Sequence, residues 1–91
     1  VTVNSGFQPR KLELKIDRNN APYVLTKPLH NSQRHIKTNE DGSIIVHLFL
    51  IENYELHRLL LGFGRGLEVI SPERLRNQMK EILKNSLEQY D

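Results

Sequence analysis

From Ser43 to Ile51 the chain is apolar at both parities: Ile44, Val46, Leu48 and Leu50 alternate with Ile45, His47, Phe49 and Ile51. A strand with one wet face alternates apolar and polar residues. A strand apolar on both sides belongs in the middle of a sheet, with something covering each face. This requirement constrains the fold more than any other stretch. Asp41-Gly42, just upstream, is a strong hairpin signal, because both residues tolerate the positive φ of a tight reversal. The hairpin partner is then Gln33–Asn39, a polar segment whose only aliphatic residue is Ile36, as expected of an edge strand.

The remaining pattern supplies the other elements. Lys11–Asp17 alternates Leu12, Leu14 and Ile16 with charged residues and predicts a half-buried strand. Asn19 or Asn20 can cap a short helix over Ala21–Thr26, with Pro22 in its first turn, and Pro28 stops it. Asn53 or Glu52 opens a second helix from about Tyr54 to Phe63, with Leu56, Leu59, Leu60 and Phe63 on one stripe. Gly62, Gly64 and Gly66 end it, as glycine accepts the left-handed conformation of a helix C-terminus. Leu67–Ile70 is a short strand. Ser71-Pro72-Glu73 reads as a helix start with a hydroxyl N-cap, and the last helix runs to about Tyr90. Its apolar face is Leu75, Met79, Ile82, Leu83, Leu87 and Tyr90.

The order is β-α-β-β-α-β followed by one long helix. This is an α+β chain of the ferredoxin-like, split β-α-β type, with an antiparallel sheet. Right-handed crossovers place both short helices on one sheet face and put the first and third strands in the centre. The opposite face needs a cover, which the C-terminal helix, a neighbouring domain or a second copy could supply.

A chain of 91 residues holds one domain, and it has no apolar run long enough for a transmembrane helix. No Cys is present, which excludes disulfides, thiolate zinc sites and thiol nucleophiles and fits a reducing compartment. A cytoplasmic location is expected, since no signal peptide is visible. The chain opens on Val1 rather than Met and is expected to be cut from a longer protein, with residues 1–10 a linker and 11–91 the domain.

The formal charge is only +2, unevenly spread: residues 1–40 carry +4 and residues 41–70 carry −2. A basic first half could meet an anionic partner, although mixed charges on a solvated surface read the same way. Arg34, His35, Lys37, Arg58 and Arg65 are the candidate contacts for an anion or nucleic acid. Ile45, His47, Phe49 and Ile51, on the second face of the apolar strand, are the candidate interface.

Other chemistries find little support. Gly62-Phe63-Gly64-Arg65-Gly66 resembles a phosphate loop in composition, but it leaves a helix rather than entering one. His30, His35, His47 and His57 lack the spacing of a metal site, and no metal or other cofactor is expected. The serines lie in turns and caps with no His/Asp relay, so no catalytic residue is assigned and no enzyme is expected. RNA binding of the kind this fold supports needs aromatic residues on strands one and three, where only Phe49 stands.

Several segments together resemble a known family: Pro22-Tyr23-Val24-Leu25, Pro28-Leu29-His30-Asn31-Ser32-Gln33, Asp41-Gly42-Ser43-Ile44, Leu59-Leu60-Leu61-Gly62-Phe63-Gly64 and Leu67-Glu68-Val69-Ile70-Ser71-Pro72-Glu73-Arg74-Leu75-Arg76. In this order they are similar to the C-terminal extension domain, WCX, of bacterial WYL-domain transcriptional regulators, over about Leu12 to Tyr90. The resemblance implies upstream winged helix-turn-helix and WYL domains in the same chain, and a homodimer in which this module supports dimer contacts. It implies a non-enzymatic role that couples an effector to DNA binding elsewhere. The alternative from the residues themselves is direct binding of a small-molecule effector or single-stranded nucleic acid through the basic surface.

Overall fold

A computed structural model describes residues 8–90. Four strands and three helices follow in chain order: β1 (Arg10–Ile16), α1 (Ala21–Thr26), β2 (Arg34–Thr38), β3 (Ile44–Leu50), α2 (Tyr54–Leu61), a 3-10 turn (Gly64–Gly66), β4 (Leu67–Ser71) and α3 (Glu73–Glu88). The strands form one antiparallel sheet in the order β2-β3-β1-β4. The expected elements all occur, and the first and third strands are central. Residues 1–7 of the expected linker lie outside the described residues, and Arg10, its last residue, already pairs with Leu50 in the sheet.

The parity of β1 fixes the core. Leu12, Leu14 and Ile16 face Leu48, Val46 and Ile44 across the central pair, and all six are at most 1% exposed. Ala21 and Val24 of α1, Leu56 and Leu60 of α2, and Leu75 and Met79 of α3 close over this face in one cluster. At roughly 25 cal/mol per Å² of apolar area removed from water, such a core is the main stabilising term for a small domain.

The C-terminal helix therefore joins the same layer as α1 and α2, beyond β4, and does not cover the second face. Arg76 ties it there: its Nη1 donates to the Val69 carbonyl at 3.0 Å and to Glu68 Oε2 at 2.7 Å. The molecule is only 20 Å across its thinnest dimension, which is one sheet and one helical layer. Only the first half of the expected apolar face of α3 is used. Leu75 and Met79 are buried, but Leu83, Leu87 and Tyr90 are 47%, 64% and 89% exposed.

Several local expectations are corrected. Ser71 is not an N-cap: it ends β4 opposite Glu13, and Pro72 takes the cap position with no side-chain bond. Asn20 stands at the N-cap of α1, but its side chain does not cap the helix. Instead Asp17 Oδ1 accepts from the Asn20 backbone N–H and Nδ2, at 2.9 and 2.8 Å. Of the three glycines after α2, only Gly64 has positive φ, at 55°. Gly62 is right-handed helical, and Gly66 is glycine for a different reason: a Cβ there would collide with the Asn20 amide. The expected Asn53 cap forms, with its side chain accepting from the Leu56 N–H at 2.8 Å.

Candidate functional site

Residues directly opposite in a ladder share a face. The second face can therefore be read from the register: Lys11, Glu13 and Lys15 on β1 lie opposite Phe49, His47 and Ile45 on β3. On the other side, β2 places Arg34 beside His47 and Lys37 beside Ile45. A bulge between His35 and Lys37 makes both cations fall on this face, although their spacing is odd. Glu68 of β4 sits beside Lys15. No helix crosses this face among the described residues.

The result is a short apolar row, Ile45, His47 and Phe49, bordered by Lys11, Lys15, Arg34 and Lys37. Phe49 is 56% exposed, whereas Ile45 is 6% exposed although no helix among the described residues covers it. Its two cross-strand neighbours are Lys15 and Lys37, long basic side chains of the kind that can lay methylene stems on apolar surface and keep the charge in water. Glu13 is the one acidic residue in the row's border on β1, and its Oε1 lies 3.9 Å from His47 Nε2. The Glu68 charge is met by Arg76 from α3.

The candidate residues thus divide. Arg34, Lys37, Ile45, His47 and Phe49 come together on the open sheet face. His35 pairs with Val46 and belongs to the other side, at an exposed edge where its Nε2 lies 3.0 Å from Thr38 Oγ1. Arg58 lies on α2, stacked 5.9 Å from the Tyr54 ring centre. Arg65 lines a polar cleft of about 400 Å³ with Lys15, Arg18, Asp17, Asp41 and Glu68. Ile51 stands just beyond β3 and lines an apolar groove of about 590 Å³ with Leu29, Phe49, Leu56 and Leu59. Sequence reasoning missed Lys11 and Lys15 as members of the basic border. Their alternation with Leu12, Leu14 and Ile16 was the signal that could have found them.

Asp41 is an acid whose surroundings favour its charged form. Hydrogen bonds from the Ser43 hydroxyl and backbone N–H hold its carboxyl below the ordinary 3.8, helped by the charge of Lys15 and opposed by a smaller desolvation effect. Among the described residues no group of three His, Cys, Asp or Glu side chains is placed to hold a metal ion. No described helix is long and apolar enough to cross a membrane.

An α+β domain with a four-stranded antiparallel sheet, one covered face and one basic open face is the class these features define. The family model described as the WCX domain matches residues 8–87, and the chain belongs to that family. No curated protein matches the chain.

Proposed function

We propose that this domain is the regulatory and dimerisation module of a WYL-type transcriptional regulator, ferredoxin-like in its fold. Its work would be to couple effector binding to a DNA-binding domain outside these residues. The WCX match over residues 8–87 carries this reading. The strand order β2-β3-β1-β4, with α1 and α2 on one face, supports the ferredoxin-like assignment. The exposed outer half of α3, with Leu83, Leu87 and Tyr90, supports a docking role, since clustered exposed apolar side chains mark interaction surfaces. We propose no bond-making step and no cofactor for it, and a cytoplasmic setting beside its DNA-binding domain.

The test is made in the parent regulator. Operator binding is followed by fluorescence anisotropy with and without the inducing stimulus, for the intact protein and for one lacking residues 8–90. Loss of the response with retained DNA binding is expected. An unchanged response overturns the reading. Sedimentation of the intact protein and of Leu87→Lys reads the docking role in the same preparation, with weaker self-association expected for the variant.

A second reading is direct binding of an anionic effector by this domain. The observation that favours it is the convergence of Lys11, Lys15, Arg34 and Lys37 on one open face, which scattered surface charge would not produce.

A further inference from the structure

We infer that the open sheet face docks an acidic amphipathic helix of a partner protein. The helix lies along β3, with an apolar stripe on Phe49 and carboxylates on Lys11 and Lys15 at one side and on Arg34 and Lys37 at the other. This rests on the second reading above, that the basic face takes an anionic partner, and names the partner's chemistry.

The layout of the face sets the shape of the occupant. Its cations stand in two rows, on β1 and β2, with the apolar row of β3 between them. Neighbouring strands lie about 4.8 Å apart, so the two rows are separated by roughly 10 Å, the width of one α-helix. Lys11 and Lys15 are separated by about 13 Å along β1, between two and three helical turns. An extended segment would lie on side chains here rather than on a strand edge, and its inward backbone groups would have no ladder to join. A helix satisfies its own backbone and is the usual cover of a sheet face, as α1, α2 and α3 show on the other side.

Charge sets the sign of the occupant. None of the four cations is in an ion pair among the described residues. Of the carboxylates on this face, Glu68 is already held by Arg76 at 2.7 Å, which leaves Glu13. A second copy does not supply the complement. Its α3 has the exposed apolar stripe but carries Arg74, Arg76, Lys80 and Lys84 against Glu73, Glu81 and Glu88. Its own open face would bring like charges together, which suppresses association.

Glu13 selects a helix among anionic partners. Its Oε1 lies 3.9 Å from His47 Nε2, in the middle of the face, with Lys11 and Lys15 on either side of it along β1. A phosphate backbone, charged at every unit, would set a negative group near it. A helix can place a neutral or basic residue there and its carboxylates fore and aft. The apolar surface fits the same reading. The His47 side chain is only 24% exposed, so Phe49 stands as a single anchor rather than as one of a pair of stacking rings. Its backbone N–H donates to Ser32 Oγ at 2.8 Å, so the anchor is held before docking and less freedom is lost on binding.

The probe is a synthetic peptide of roughly 18 residues, long enough to be helical. It carries a leucine stripe, glutamate on both flanks of the stripe and one lysine at the centre. It is titrated into the 91-residue chain and read by amide shifts and by anisotropy of a fluorescein label at several salt concentrations. Binding is expected, weakening as salt rises, with shifts at the open-face residues of β1 and β3 and none on α2. Phe49→Ala is expected to weaken it about five- to thirtyfold, the range of an anchor residue, while Phe49→Leu keeps most of the affinity. Lys11→Gln with Arg34→Gln weakens it and lowers its salt dependence. Arg58→Gln, on α2, leaves it unchanged. A peptide with glutamine in place of every glutamate does not bind.

Absence of binding at low salt overturns the inference. So does equal binding of the glutamine peptide, or of one with a helix-breaking proline at its centre. Oligothymidylate or inorganic polyphosphate binding more tightly than the helix at the same residues leaves the second reading standing and overturns this one. Circular dichroism of each variant separates lost contact from misfolding.

Discussion

The hydroxyl of Ser32 accepts the backbone N–H of Phe49 at 2.8 Å, and Ser32 Oγ in turn lies 2.7 Å from His30 Nδ1. The same His30 nitrogen accepts the Ser32 N–H at 3.1 Å, so the hydroxyl proton points to the imidazole. β2 pairs with β3 only as far as His47, and without Ser32 the next amide along that edge would have no protein partner. Ser32→Ala is expected to cost about 1 kcal/mol in urea unfolding, the usual net worth of one hydrogen bond. It should also speed amide exchange at Phe49 selectively. Uniform exchange changes across β3 would contradict a local role.

One residue later the connection is clamped again. Gln33 Nε2 donates to the Val24 carbonyl at 3.0 Å and its Oε1 accepts the Leu29 N–H at 2.8 Å. One side chain thus joins the end of α1 to the loop that follows. Gln33→Ala removes both bonds and is expected to cost about 1–3 kcal/mol, more than Ser32→Ala. Gln33→Glu keeps the acceptor and loses the donor, and should fall between wild type and Ala by the same unfolding measurement.

Gly64 and Gly66 predict opposite behaviours, although only Arg65 separates them. Gly64 has φ of 55° with open space around it, so Gly64→Ala costs about 1–2 kcal/mol of backbone strain that no second substitution relieves. Gly66 lacks that φ but faces the Asn20 amide. Gly66→Ala is therefore expected to be rescued in part by Asn20→Ala, with a coupling of about 0.5–3 kcal/mol in a double-mutant cycle. Additive unfolding energies for that pair would remove the steric account.

The contrast shows where the sequence was legible and where it was not. Periodicity identified β1, β3 and α2 within a residue or two because burial on one covered face writes a strong pattern. It could not say that the second face of β3 is open. Ile45 looks like a core residue in sequence and is buried, yet it lies outside the core cluster, with Lys15 and Lys37 as its cross-strand neighbours. The α3 stripe failed in the same way: Leu83, Leu87 and Tyr90 continue the pattern of Leu75 and Met79, but the body they would pack against ends. Ser71-Pro72-Glu73 carried the local signal of a capped helix, and pairing of Ser71 with Glu13 overrode it. The site was half legible: the apolar row was visible, and Arg34 and Lys37 were named. What brought them together was the β2 bulge, which has no clear mark in the sequence.

Asp41 gives a pH dependence with a definite sign. Its carboxyl titrates below 3.8 in the folded chain, first because the Ser43 hydroxyl donates to it at 2.6 Å and then because the Ser43 N–H does at 2.9 Å. A lowered folded-state value means the stabilisation is fully present above the unfolded value of 3.8 and is lost as the pH falls through the folded one. Urea unfolding from pH 7 down to acid should show no Asp41 contribution to the slope until that range. Asp41→Asn should remove its share of the acid loss, and Ser43→Ala should move the Asp41 titration, followed by NMR, back toward 3.8.

The open face makes one further stability prediction. Leu14 is fully buried in the cluster that the central strands and the helices share, and Leu14→Ala should cost about 2–5 kcal/mol, a large part of what a domain this size has. Ile45 is nearly as buried by area, but it lies outside that cluster and its cross-strand neighbours are the flexible side chains of Lys15 and Lys37. Truncating it leaves no closed cavity, since the lysines and water can fill the space. Ile45→Ala should therefore cost about 1 kcal/mol, at the low end of what lost apolar contact alone gives. The two variants are compared by urea unfolding at one pH. Lys37→Ala should destabilise the wild-type chain more than it destabilises the Ile45→Ala variant, where the lysine stem has little left to cover. If Ile45→Ala costs as much as Leu14→Ala, the second face is covered by something denser than side-chain stems, and it is not free to receive a ligand.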